Sequence, residues 1–134
     1  MATLVSLRDI AMPYGVPFAR ALLAVVFLYS GQDKLRHWPA SIREVAELGV
    51  PWPRLFAAAT IVTQLFGGLA VLSGVGAAIG AAVLAVFTAA ATLAGHRFWL
   101  LHGAPARKEL TTSLEHLAIV GGLLLVILNA LSGH

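Results

Sequence analysis

The chain has 134 residues, 59% hydrophobic and 11% charged, with a mean hydropathy of +0.87. A soluble domain of this length cannot bury that much apolar side chain, which excludes an ordinary cytosolic fold and indicates one membrane domain. The net charge of +3 does not indicate a nucleic-acid binder, since basic residues flank apolar runs, and the absence of cysteine excludes thiol–disulfide chemistry and cluster ligation by this chain.

Residues 1–15 read as a short leader ending in Met12-Pro-Tyr-Gly15, without the basic start of a cleavable signal peptide. A first span follows over 16–33, with Pro17 tolerable in its first turn. It carries Arg20 near its start and ends in Ser30, Gln32, Asp33 and Lys34. Ser41-Ile-Arg-Glu44 has the spacing of a capping box and predicts the start of a short interfacial helix ended by Gly49. Pro51-Trp-Pro53 breaks the chain again, and a second span covers 54–72. Ser73-Gly-Val-Gly76 is long enough only for a tight turn between antiparallel helices.

The third span, 77–94, is dominated by alanine. It opens on Gly76-Ala-Ala-Ile-Gly80, a GxxxG pattern that suits packing within the bundle more than dimerisation, with a homo-oligomer left open. A polar loop over 96–108 leads to the fourth span, 109–131. The expected fold is all-α: an antiparallel four-helix transmembrane bundle with a short interfacial helix between spans 1 and 2, forming one domain over 1–134.

Seven basic residues (Lys34, Arg36, Arg43, Arg54, Arg97, Arg107, Lys108) flank the first and third loops, against Arg8 and Arg20 on the other side. Trp38, Trp52 and Trp99 fall on the same side as the seven. The expected topology in a cell inner membrane therefore has those loops cytoplasmic and both termini outside.

Polar residues gather in the cytoplasmic half of every span. Thr60, Thr63 and Gln64 share one face of span 2, and Gln64 lies about 15 Å into it. Thr88, Thr92 and His96 share a face of span 3, and Thr112, Glu115 and His116 a face of span 4. Taken singly, each reads as helix-to-helix glue. Taken together, they predict a polar half-cavity. His96 and His116 are positioned to serve as axial ligands of a haem b, although their nearness to the membrane surface argues against it. A metal site of His96, Glu115 and His116 lacks any short-spacing motif, and no metal is expected. His37, His102 and His134 read as solvent-facing, and Arg20 as snorkelling to headgroups, with binding of an anionic headgroup or substrate as its alternative.

The chain resembles the DoxX family of small four-span bacterial and archaeal membrane proteins over nearly its full length. The matching pieces are Arg20, Phe27-Leu-Tyr-Ser-Gly31 and Lys34-Leu in span 1, then Leu48-Gly-Val-Pro51-Trp-Pro53. Gly67-Gly68, Gly74, Phe87, His96-Arg-Phe-Trp99 and Leu117-Ala-Ile-Val-Gly-Gly-Leu-Leu124 complete them. Family members often have Glu where this chain has Gln64, so Glu115 would have to supply a missing carboxylate.

The resemblance implies association with a redox system, since the family takes its name from membrane subunits that pass thiosulfate electrons to quinone. The expected function is a membrane subunit that binds a quinone in the cytoplasmic half of the bundle. Gln64, His96 and either Glu115 or His116 would hydrogen-bond its carbonyls, and Asp33 and Lys34 would line its way in. Tyr29, Phe66, Phe87 and Phe98 are candidate neighbours of the ring. A separate partner subunit would donate electrons, because the chain carries no nucleotide-binding fingerprint. The alternatives are an anchor or assembly subunit that recruits a soluble enzyme through Arg43, Glu44, Glu47, Arg107 and Lys108, and a carrier of a small solute or lipid.

Overall fold

The first apolar run folds as a helix much longer than its predicted span. In the computed structural model, which describes residues 2–132 and the side chains of residues 6–97 and 99–132, helix α1 covers Ala2–Arg36. The predicted leader is therefore helical from its second residue. Pro13 and Pro17 lie inside α1. Proline removes one donor and crowds the carbonyl four residues back, but in an apolar setting the backbone has no water-bonded alternative and the helix runs through both.

Helix α2 covers Trp38–Glu47, as the short helix between the first two spans. It starts three residues ahead of the expected Ser41 cap, with Pro39 in its opening turn. Ser41 is buried instead, and its hydroxyl points back to the carbonyl oxygens of Lys34 (2.9 Å) and His37 (3.1 Å), tying α2 to the end of α1. Gly49, at φ +79°, follows the helix end as expected.

Helix α3 covers Pro53–Ser73 and α4 covers Ala77–Gly95. After one 3-10 turn at Phe98–Leu100, α5 runs over Gly103–Leu131. Half of the predicted polar loop is thus helix, and Pro105 sits in the first turn of α5, where its missing N–H costs nothing. Four helices are long and apolar enough to cross a membrane. The protein is an all-α membrane protein, an antiparallel four-helix bundle with α2 lying between its first two spans.

Packing runs α1 on α3, α3 on α4 and α4 on α5, with α1 and α5 touching over a short stretch. The interior is built from small residues and a few large ones: Ala24, Phe27, Val71, Ala77, Ala81, Leu84, Leu123 and Val126. Large apolar side chains such as Leu22, Val25, Leu69, Val86, Leu125 and Leu128 point outward, as lipid-facing surface requires. Because lipid is as apolar as leucine, the helices gain by approaching closely rather than by leaving water. Gly80 faces Ala70 and the Gly67 carbonyl, and Gly67 itself receives Leu84. The GxxxG motif therefore works through Gly80 inside the bundle, while Gly76 caps α4 at φ +67°.

Candidate functional site

The helices close tightly around the Ala24–Leu123 level and separate toward the first and third loops. There they leave a cavity of about 630 Å³. Its walls come from all five helices: Phe27, Tyr29, Ser30 and Lys34 from α1, Glu44 and Val45 from α2, and Thr60 and Gln64 from α3. Phe87 and Thr88 come from α4, His96 from its C-terminal end, and His116 and Ile119 from α5. This volume and an apolar wall with a few convergent polar groups are what a small organic ligand requires.

The polar lining is ordered by internal hydrogen bonds. Lys34 Nζ donates to Ser30 Oγ at 2.6 Å, one helical turn back, and Gln64 Nε2 donates to the same oxygen at 3.3 Å across the α1–α3 interface. Gln64 and Thr88 are each only 6% exposed. Yet Gln64 Oε1 and Thr88 Oγ1 are buried without a partner. A buried polar atom left unpaired costs about 1–3 kcal/mol, so two of them on one cavity wall call for a ligand or water.

The two histidines are held in defined tautomers. Thr92 Oγ1 donates to the Thr88 carbonyl at 2.6 Å. Its proton is thereby used, and it accepts from His116 Nδ1–H at 2.9 Å. His96 Nδ1–H donates to Glu109 Oε2 at 2.5 Å. Ser113 Oγ, bonded to the carbonyls of Glu109 (2.8 Å) and His96 (3.5 Å), fixes the same junction. Where Nδ1 donates in a neutral ring, Nε2 holds the lone pair. The rings stand edge to face with centres 5.1 Å apart.

Several expected residues meet here and others do not. Gln64, His96, His116 and Lys34 line the cavity, as do the aromatic residues Tyr29 and Phe87. Asp33 is exposed and faces His37, with 3.4 Å between its carboxylate and Nδ1, rather than Lys34 or Arg36. Glu115 is exposed and outside the lining. The carboxylate that reaches a cavity histidine is Glu109, which the sequence places at the start of the fourth span. Seven residues apart, Glu109 and His116 share a helix face, whereas Glu115 is turned about 100° from His116. Recognising Pro105 as a first-turn residue would have revealed this. Thr112 bonds the Lys108 carbonyl, Phe66 is exposed on the outer surface, and the Phe98 side chain and His134 lie outside the described residues. Arg20 belongs to the other end of the bundle, about 21 Å from Lys34 along α1.

The paired rings do not suit a haem. Axial ligands place one nitrogen on each side of the porphyrin plane, and at about 2 Å per bond the ring centres would stand more than about 6 Å apart. Nor does Glu115 join the histidines, and among the described residues no three His, Asp or Glu side chains are grouped to hold a metal.

A membrane bundle with this site can be compared with known families. The DoxX family profile matches residues 15–97, more than half of the chain. The chain belongs to the DoxX family. Inner membrane protein YphA of Escherichia coli K12 is 22% identical over 119 residues, covering 89% of this chain and 85% of the relative. No solved structure gives a significant match. The DoxX match takes in Ser30, Lys34, Gln64, Thr88 and His96 but stops short of α5, which carries Glu109 and His116.

Thr88 gives the first test of this DoxX cavity. Thr88→Val removes an unpartnered hydroxyl, so the melting temperature in detergent should hold or rise, by an amount worth up to about 1 kcal/mol. A loss of stability would mean that the hydroxyl supports the fold.

Proposed function

We propose that this DoxX protein is the quinone-binding membrane subunit of a redox system in a cell inner membrane, with the first and third loops cytoplasmic. The observation that carries the reading is the convergence of unsatisfied polar groups on one cavity at the loop-side end. These are Gln64 Oε1 and Thr88 Oγ1, and the rings of His96 and His116 line the same cavity. A quinone supplies two-electron chemistry coupled to two protons. Thr88 and Lys34 have protons to offer carbonyl oxygens, while Gln64 Oε1 and the two Nε2 lone pairs accept from hydroxyls. The residues therefore suit both the quinone and the quinol. When the bound quinone is reduced, His96 and His116 are the groups able to relay its two protons.

Tyr29 and Phe87 offer flat walls for the ring. Lys34 and Glu44, from α1 and α2, stand on the side facing the loops and form the polar mouth. Electrons arrive from a partner docked on the same side, where Arg43, Glu44, Glu47, Arg107 and Lys108 are exposed. The inner-membrane location draws support from YphA, whose name places that relative there.

Calorimetric titration of the protein in nanodiscs with a short-chain ubiquinone and a menaquinone analogue tests this. Wild type should bind one of them at micromolar Kd, and Gln64→Leu should weaken it about tenfold. If wild type binds neither, the proposal fails, and the protein is better read as an anchor for a soluble enzyme.

A further inference from the structure

At the end opposite the quinone cavity, α1 holds a partly buried charge without a partner among the described residues. Arg20 makes no hydrogen bond or ion pair with any described residue, and its Nε is fully buried and unpartnered. Its Nε is shut off from solvent, while the rest of the guanidinium borders two cavities. The group lies under the α3–α4 turn, where a Cβ at Gly74 would stand 3.0 Å from Nη2, 3.1 Å from Cζ and 3.2 Å from Nη1. The turn does not use the arginine as a cap, because Gly74 N–H, at φ +84°, closes α3 on the Ala70 carbonyl by itself. An arginine with a buried, unpartnered Nε at the edge of two cavities is disposed to receive an anion.

Two cavities meet at this side chain. One, of about 590 Å³, runs between α1 and α5 and is walled by apolar residues including Leu23, Ala77, Leu125 and Val126. The other, of about 450 Å³, lies under the first turns of α1 and carries Arg8, Asp9 and Asn129. Arg8 and Arg20 against Asp9 leave the pair of cavities with net positive charge. A cationic fork between a greasy slot and a polar pocket is matched by a molecule with an anionic head and an apolar tail.

We propose that this is a binding site for one anionic phospholipid of the leaflet at the terminal end. Its phosphate sits on the Arg20 guanidinium, which presents paired N–H donors to phosphate oxygens. One acyl chain fills the slot between α1 and α5, and the rest of the headgroup reaches Arg8 and Asn129. The lipid thus completes the α1–α5 seam, the least packed in the bundle. The alternative source of the same chemistry, free phosphate, would satisfy Arg20 and leave the slot empty.

The test uses full-length protein, delipidated in detergent, with thermal unfolding as readout. Dioleoyl phosphatidylglycerol should raise the melting temperature by several degrees at concentrations where dioleoyl phosphatidylcholine does not. Sodium phosphate at matched ionic strength should not reproduce the shift. Arg20→Gln should raise the phosphatidylglycerol concentration needed by about tenfold or more, with Arg20→Lys in between. Should Arg20→Gln fail to fold, Ala130→Phe keeps the arginine, fills the slot, and should likewise abolish the preference. Equal shifts from both lipids, or a preference that survives Arg20→Gln or Ala130→Phe, overturn the site. A shift produced by phosphate alone overturns the lipid as its occupant.

Discussion

Gly80→Val leaves little or no folded protein, and whatever remains melts far below wild type in detergent. At this crossing of α3 and α4 there is no room for any side chain. A Cβ on residue 80 would stand 2.7 Å from the Ala70 Cβ and 3.2 Å from the Gly67 carbonyl oxygen. The second neighbour is backbone and cannot rotate away, so α4 must move off α3. Overpacking a closed core typically costs about 1–3 kcal/mol, and here two backbones separate along a seam held by van der Waals approach alone. Gly121→Ala has the opposite sign. Nothing lies within 4 Å of the Cβ it would add, so only helix propensity changes, by about 0.5–1 kcal/mol in favour of folding. Circular dichroism melts of both variants separate a close-packing requirement at residue 80 from a general intolerance of added methyl groups. If Gly80→Val melts like wild type, α3 and α4 do not meet as described.

The four apolar runs are legible because a bilayer demands length and hydropathy, and both are local properties of the chain. What the sequence does not disclose are the places where soluble-protein grammar is overruled. Ser41-Ile-Arg-Glu44 has the letters of a capping box, but Pro39 starts α2 earlier and Ser41 Oγ bonds back to α1 instead. Pro13 reads as the end of a leader and Pro17 as part of a first turn, but α1 runs through both. In the site, helix-face arithmetic brings Gln64, Thr88, His96 and His116 to one depth, and they do line one cavity. That arithmetic fails for the carboxylates, since it needs the correct helix start. With α5 begun at 109, Glu109 looked like a helix end and Glu115 like the inward acid. With α5 begun at Gly103, Glu109 falls about one and two-thirds turns inside and reaches His96. Arg20 was visible as a misplaced charge, but its position under the α3–α4 turn depends on the fold of residues more than fifty positions away.

Removing both histidines should lower quinol affinity by somewhat less than about a hundredfold, the largest binding effect expected of any pair in the cavity. Each ring contributes one Nε2 lone pair, and losing a hydrogen bond of about 1.4 kcal/mol corresponds to tenfold in Kd. His96→Ala and His116→Ala should therefore each cost the quinol about tenfold. Because the rings brace each other edge to face at 5.1 Å, the single losses should overlap, so that the double variant falls somewhat short of their product. The oxidised quinone should lose much less. Its carbonyls need donors, and those come from Thr88 and Lys34, which both variants retain. Glu109 acts through His96 and is a positioning residue. Glu109→Gln keeps an oxygen able to accept from Nδ1–H and should retain most quinol affinity, while Glu109→Leu frees the ring and should approach His96→Ala. Titrating each variant with the reduced and the oxidised form of one analogue under anaerobic conditions reads all of these together. Equal losses for the two forms would show that the histidines only shape the cavity, and would remove them from the proton path.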